Sequence, residues 1–223
     1  MRKYVISIVL ISFFIDAIAQ DLNYAAQLQN KSHEYYKKND FTSAFQYMKQ
    51  SAEYGYVPAI VELGRYYYYG WGTNRNYYEA FRLFQIAANN GDAAAQFRLA
   101  NMYLDGEGTS QNDRQGIYWL KKSVEQGYAP AQGDLAFLYL SGSHNVKTNY
   151  FEAAILFKRA AEQEDVHSQF YLGNMYELGL GVPKDYYSAA YWYKKALNNK
   201  KSSDLTIYKR KSAEDFLLKH KNY

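Results

Sequence analysis

Histidines, acidic residues and glycine-rich turns are the residues of this chain whose spacing bears on chemistry. The four histidines are His33, His144, His167 and His220, and none has the spacing of a metal-binding motif. Neither a Gly-x-Ser-x-Gly nor a phosphate-loop motif is present. Asp105 and Glu107 are close enough to form a carboxylate pair, but two acids in a solvated loop is the favoured interpretation. The sequence therefore predicts no enzyme, no metal site and no cofactor.

The turn Gly70-Trp71-Gly72 matches half of a nucleotide-binding fingerprint. That fingerprint requires a preceding strand, whereas the residues before Gly70 have helical periodicity, so the phosphate-binding interpretation fails. Glycine adopts positive φ at low cost, and a Gly-x-Gly turn is well suited to end a helix. The same turn recurs at residues 106–108 and 179–181.

The recurrence extends well beyond the glycines. A leucine, a tyrosine and a glycine each return at intervals of 36, 36 and 37 residues. The three series are Leu63, Leu99, Leu135 and Leu172, then Tyr67, Tyr103, Tyr139 and Tyr176, then Gly70, Gly106, Gly142 and Gly179. The additional residue follows Gly142, where a loop tolerates extra length.

Each repeat predicts a pair of helices. Ala59, Leu63 and Tyr67 are four residues apart and share one face, so the recurring tyrosines are predicted to be core. Gly64 is predicted to allow close approach of a second helix. The second helices of three repeats are predicted to have N-terminal caps at Asn76, Asp113 and Asp185.

One hairpin cannot bury its own apolar face, so neighbouring hairpins must stack. The sequence therefore predicts an all-α fold, a right-handed α-α superhelix or solenoid. The pattern Ala-x3-Leu-Ala-x2-Tyr-x2-Gly-x-Gly at residues 95–108, and the similar segment at residues 172–185, resemble the Sel-one-like repeat (SLR) of the tetratricopeptide superfamily. The third unit departs from the pattern, with Gly142-Ser143-His144-Asn145, and its loop is predicted to differ or to be mobile.

The sequence predicts seven segments. These are a signal peptide (1–19), a tetratricopeptide-like capping hairpin (20–57), four SLR units (58–92, 93–128, 129–165, 166–200) and a basic C-terminal capping helix (201–223).

The N-terminus has a basic start, an apolar run at residues 5–15 and the small-residue site Ala17-Ile18-Ala19. This order predicts a signal peptide cleaved after Ala19 and a periplasmic or secreted protein. The alternative, a membrane anchor, needs about 20 apolar residues. Residues 200–223 carry seven Lys or Arg against three acids, which is typical of a solvated terminal helix; nucleic acid is not a predicted partner.

The SLR resemblance implies that a partner protein binds the concave face formed by the first helices. The residues placed there are Val61, Arg65, Tyr68, Tyr69, Phe97, Asn101, Phe137, Phe170, Asn174 and Glu177. Four consecutive residues sweep about 300° around a helix, so residues 66–69, all tyrosine, cannot all be core. An exposed aromatic patch is predicted at Tyr66, Trp71, Tyr77 and Tyr78. The alternative is that such tyrosines are core residues.

Exported SLR proteins that this sequence resembles include immunity proteins that neutralise secreted type VI phospholipase-like toxins. The resemblance therefore implies a non-enzymatic interaction module that binds another protein, with an immunity role as the leading hypothesis. An envelope scaffold or signalling regulator, and a secreted host-interaction factor, are the alternatives.

Overall fold

A computed structural model describes the backbone of residues 2–222 and the side chains of residues 17–222. Within that part of the chain the structure has eleven α-helices, one short 3-10 helix and no strand. The helices are α1 (Arg2–Lys37), α2 (Phe41–Glu53), α3 (Val57–Tyr69), α4 (Tyr77–Asn89), α5 (Ala93–Asp105), α6 (Asp113–Glu125), α7 (Ala129–Ser141), α8 (Tyr150–Glu162), α9 (Val166–Leu178), α10 (Tyr186–Asn198), the 3-10 helix (Ser202–Asp204) and α11 (Ile207–Lys219).

The chain forms two compact units. The first comprises Met1–Gln111 with α1 to α5, and the second comprises Asn112–Tyr223 with α6 to α11. In each unit, helices that follow one another in sequence pack as antiparallel hairpins, and the hairpins stack on their neighbours.

The predicted signal peptide, residues 1–19, lies largely outside the residues whose side chains are described, and α1 extends through it as far as Lys37. No helix among the described residues is long and apolar enough to cross a membrane. Cleavage after Ala19 stays a prediction.

Helix ends follow local sequence signals. The side chains of Asn76 and Asp185 accept a hydrogen bond from a backbone N–H of the helix that follows, as predicted. The predicted cap at Asp113 is wrong by one residue. Asn112 is the cap, and Asp113 is the first residue of α6. The first helix of each SLR unit ends at a glycine in the left-handed conformation, for which Gly70 with φ of 75° is representative.

The recurring leucines are buried as predicted, but the neighbouring core position lies one residue earlier than the predicted tyrosine. The recurring tyrosines Tyr67, Tyr103, Tyr139 and Tyr176 are only half-buried. The buried positions are those immediately before them, Tyr66, Met102, Leu138 and Met175. The predicted close approach at Gly64 is confirmed, because a Cβ there would lie 2.8 Å from the ring of Phe84.

The second glycine of each Gly-x-Gly turn forms the junction between successive hairpins. A Cβ on Gly72, Gly108 or Gly181 would lie about 2 Å from the carbonyl oxygen of Phe41, Tyr77 or Tyr150, respectively. Each of those three partners is the first residue of the second helix in the preceding hairpin. Only glycine allows the two backbones to approach this closely.

The third SLR loop differs from the others, as predicted. His144 occupies the position of the second glycine, and its Nδ1 lies 2.8 Å from Oδ1 of Asp113. The side-chain amide of Asn145 donates to the other carboxylate oxygen at 2.8 Å. Asp113 is the first residue of α6, and the loop contacts it through side chains where the other loops use a glycine.

The C-terminal helix closes the second unit. Leu205, Ala213 and Phe216 are buried in one cluster with Phe170 and Tyr193. The apolar residues of this segment therefore cover the face that α10 would otherwise expose.

Candidate functional site

Four aromatic rings at the end of α3 and the start of α4 form a continuous, partly exposed cluster, which we call the aromatic surface: Tyr68, Tyr69, Trp71 and Tyr77. The ring centroids of Tyr77 and Tyr68 are 5.1 Å apart, and those of Tyr68 and Tyr69 are 4.9 Å apart. Tyr69 stacks on Trp71 at 4.7 Å. Rings at these distances hold one another in fixed orientations.

The loop between the two helices brings these rings together. Tyr68 and Tyr69 lie in the last turn of α3, and Gly70 reverses the chain so that Trp71 folds back on Tyr69. The backbone N–H of Trp71 donates to the carbonyl of Tyr66 at 3.0 Å, which fixes the indole next to the helix end. Tyr77 is the first residue of α4 and completes the cluster.

Charged side chains border the aromatic surface. The guanidinium of Arg65 lies 5.6 Å from the Trp71 ring centroid, and that of Arg75 lies 5.0 Å from the Tyr77 ring centroid. The hydroxyl of Tyr68 donates to a carboxylate oxygen of Glu107 at 2.7 Å. Burial, followed by this hydrogen bond and the negative charge of Glu107, raises the pKa of Tyr68 far above its usual range, so the hydroxyl stays a donor.

The prediction that Tyr66 is exposed is wrong. Its side chain is 3% exposed, and its hydroxyl lies 3.3 Å from that of Ser32 in α1. The ring makes edge contacts with Trp71 and Tyr36. Tyr66 therefore supports the aromatic surface from beneath and does not belong to it. Tyr78 is 66% exposed, in agreement with its predicted exposure.

Two residues placed on the predicted groove are buried. Phe97 is 8% exposed and Phe170 is 5% exposed, so neither ring is available as an anchor for a partner. Phe170 packs on Tyr193 with a ring-centroid distance of 5.5 Å and fills part of the core of the second unit.

The remaining groove positions are split between the two units. Val61 and Asn101 in the first unit are half-buried, and Phe137 in the second is exposed. Asn174 and Glu177 both bond the hydroxyl of Tyr193, with 2.7 Å between that hydroxyl and the Glu177 carboxylate. Burial, followed by the Glu177 bond, raises the pKa of Tyr193. Asn174 and Glu177 thus hydrogen-bond to a core tyrosine while their side chains stay partly exposed.

Beside the aromatic surface is a cavity of about 160 Å³, and sequence reasoning missed three of the residues that line it: His33, Tyr36 and Glu62. Nε2 of His33 lies 2.6 Å from the Glu62 carboxylate, and the Tyr36 ring contacts Trp71 at 5.4 Å. His33 and Tyr36 belong to α1, in the hairpin that lacks the Gly-x-Gly turn. The cavity is large enough for one side chain of a partner.

Chemically, the site offers flat apolar rings, two guanidinium groups and the carboxylates of Glu62 and Glu107. Within residues 17–222 no group of three or more His, Asp or Glu side chains is arranged to hold a metal ion. Rigid aromatic rings bordered by arginine are typical of surfaces that bind proteins.

Comparison with protein families identifies the repeat. The Sel1 repeat family model matches residues 22–56, 57–92, 93–128, 129–165 and 166–200. The first of these segments is the hairpin that the sequence predicts as a tetratricopeptide-like cap, and the family model matches it as a Sel1 repeat. A comparison with curated protein sequences gives no match.

Solved structures share the fold. A protective antigen of uropathogenic Escherichia coli with an SLR fold is 30% identical over 81% of this chain, with a TM-score of 0.71, and this chain spans 40% of its length. A Sel1 repeat protein from Oxalobacter formigenes is 28% identical over 78% of this chain and 73% of its own, with a TM-score of 0.68. An immunity protein from Pseudomonas aeruginosa shares the fold at 17% identity over 85% of this chain and 81% of its own, with a TM-score of 0.52. The predicted fold class, an α-solenoid of stacked hairpins, is confirmed.

Proposed function

The chain belongs to the Sel1 repeat family, as its sequence predicts, and we propose that it is a non-enzymatic module that captures a partner protein on the aromatic surface of its first unit. Sel1 repeats are protein-interaction modules, so the class of function follows from the family. The location of the site on this chain, and the nature of the partner, are the proposal.

The observation that supports the proposal is that the four rings are packed against one another in advance of binding and still partly exposed. Tyr69 is 44% exposed although it already stacks on Trp71. An ordered ring loses little conformational entropy when a partner covers it, so most of its buried area contributes to affinity. Arg65 and Arg75 at the border add hydrogen-bond donors for carboxylates or backbone carbonyls of the partner.

We propose a secreted toxin as the partner, which would make the protein an immunity protein of the periplasm. The predicted signal peptide supports export, and the Pseudomonas aeruginosa immunity protein supports the suitability of this fold for such a task. Neutralisation by occlusion requires an interface of about 800 Å² per partner. The aromatic surface would form the centre of that interface.

The test compares Tyr69→Ala with Tyr118→Ala. Tyr118 is 50% exposed and makes an edge contact with a neighbouring tryptophan, so it matches Tyr69 in exposure but lies on α6. Full-length tagged protein is used to isolate binding proteins from periplasmic extract, and the affinity of each is then measured by calorimetry. If the surface is a hot spot, Tyr69→Ala weakens binding by about 2 kcal/mol or more, and Tyr118→Ala leaves it unchanged.

Equal affinity in wild type and Tyr69→Ala would refute the location of the site. The immunity role has its own test, because cells that carry the gene must survive expression of the toxin encoded beside it. Survival that does not depend on this protein would exclude that role while leaving the binding module intact.

A host-facing role is the second candidate, and one observation favours it. The Escherichia coli protein that is 30% identical to this chain is described as a protective antigen, which places that protein within reach of a host immune system. The same aromatic surface would then bind a host protein outside the cell. Binding to host secretions in place of periplasmic extract, lost in Tyr69→Ala, distinguishes this role from immunity.

A further inference from the structure

A second cavity, outside the aromatic surface, lies within the second unit. Its volume is about 530 Å³, and its walls are the end of α9, the start of α10 and one face of α11. Cavities of this size accommodate small molecules or short peptide segments. The basic C-terminal segment that the sequence singled out contributes one wall of this cavity.

Lysine side chains surround this cavity. Lys184, Lys211 and Lys219 all line it, and none forms an ion pair with a residue that the structure describes. Two carboxylates, Glu177 and Asp215, also line it, so the cations are in excess. One of these carboxylates is already engaged, because Glu177 accepts a hydrogen bond from the hydroxyl of Tyr193.

The cavity also has an aromatic lining. The rings of Phe216 and His220 stack at 4.3 Å, and Tyr186 lies 4.6 Å from His220. Lys184 is held over the Tyr186 ring at 4.9 Å, which places one cation directly beside the apolar surface. A ligand that fits both features has negative charge and an apolar side chain next to it.

We propose that this cavity binds a short acidic segment of a partner protein, with an aromatic side chain against Tyr186 and the flanking carboxylates on Lys211 and Lys219. This proposal rests on the proposed function only for the identity of the bound protein. Charge complementarity selects an acidic segment, and the exposed lysines increase its rate of association.

The experiment uses the full-length protein and three fluorescently labelled pentapeptides with blocked ends. They are Glu-Glu-Phe-Glu-Glu, its uncharged analogue Gln-Gln-Phe-Gln-Gln, and Glu-Glu-Ala-Glu-Glu. Affinity is measured by fluorescence anisotropy at low salt and again at physiological salt. The first peptide is expected to bind more tightly than either analogue, and its affinity should fall as salt rises.

Two double variants locate the binding. Lys211→Glu/Lys219→Glu is expected to weaken the Glu-Glu-Phe-Glu-Glu peptide about tenfold or more, because two attractive charges become repulsive. Lys158→Glu/Lys200→Glu makes the same change in net charge at exposed lysines that do not line the cavity, and should leave affinity unchanged. Circular dichroism checks that both variants are folded.

Equal affinity for the charged and uncharged peptides, or an equal loss in both double variants, would overturn the proposal. So would binding to phosphatidylglycerol vesicles through Lys211 and Lys219 without binding to the acidic peptide, since the site would then recognise a membrane surface. None of these assays involves Tyr69 or a natural partner. A negative result with Tyr69→Ala therefore refutes the aromatic surface and leaves the outcome for this cavity standing.

Discussion

Replacing Gly108 with alanine is expected to destabilise the first unit through two separable effects. The first is conformational: Gly108 has φ of 69°, and an alanine there costs about 1–2 kcal/mol. The second is steric, because the new Cβ would lie 2.2 Å from the carbonyl oxygen of Tyr77. Ordinary contacts of this kind exceed 3.4 Å, so the hairpin junction must open by more than 1 Å or rearrange.

Gly91 supplies the matched control. It lies in the turn between α4 and α5 with φ of 88°, and a Cβ there would have no heavy atom within 4 Å. Gly91→Ala therefore carries the conformational cost alone. Forcing extra volume into a packed contact costs about 1–3 kcal/mol, so Gly108→Ala should be less stable than Gly91→Ala by that amount. The entropy that alanine removes from the unfolded chain is common to both variants and cancels in the comparison.

Urea unfolding followed by far-ultraviolet circular dichroism measures the difference. Gly108→Ala should lower the midpoint well below that of Gly91→Ala, and an unchanged slope would show that the same surface is exposed on unfolding. Equal midpoints for the two variants would refute the reasoning, since the junction would then tolerate a side chain. A lower slope in Gly108→Ala alone would show that neighbouring hairpins have become uncoupled.

Two further predictions concern the core and a helix cap. Leu99→Ala should cost about 2–5 kcal/mol in urea unfolding because Leu99 is fully buried in α5, whereas Tyr78→Ala should stay within about 0.5 kcal/mol. The hydroxyl of Ser188, 2.6 Å from Asp185, and backbone N–H groups hold the pKa of Asp185 below its ordinary 3.8. The stability that the ionised Asp185 side chain contributes is therefore present above the ordinary pKa and is lost as the pH falls through the pKa of the folded protein. Asp185→Asn keeps a cap, so the stability gap between wild type and variant should shrink between about pH 5 and pH 2; a constant gap would contradict this.

The sequence predicted the repeat because the ends of its helices are set by local rules. Helix-ending glycines and the Asn76 and Asp185 caps need only neighbouring residues to act, so spacing alone reveals them. Local rules do not determine which face of α3 is buried. Residues three apart and residues four apart share a helix face equally well, so Leu63 is compatible with either Tyr66 or Tyr67 as its core neighbour.

Contacts with another hairpin decide between these two tyrosines. The hydroxyl of Ser32 in α1 lies 3.3 Å from that of Tyr66. No pattern in the sequence around Tyr66 indicates a partner 34 residues away. The same limit applies to Phe97 and Phe170, which were placed on a groove by family geometry. Val61 and Gly133 occupy the equivalent position in the other two repeats. They stay half-buried, whereas the two phenylalanine rings turn into the core. The aromatic surface was partly predictable because four adjacent tyrosines cannot share one face.

The third SLR loop shows that the repeat conserves a contact and not a residue type. His144 and Asn145 have φ of 52° and 59°, and each such conformation costs about 1 kcal/mol or more for a residue other than glycine. Both side chains bond the carboxylate of Asp113, and hydrogen bonds to a charged group contribute about 1.5–3 kcal/mol each. The two terms are comparable, so the departure from Gly-x-Gly need not weaken the junction. At the other junctions the glycine lies against the backbone carbonyl of Phe41, Tyr77 or Tyr150, whereas in this loop the side-chain carboxylate of Asp113 makes the contact.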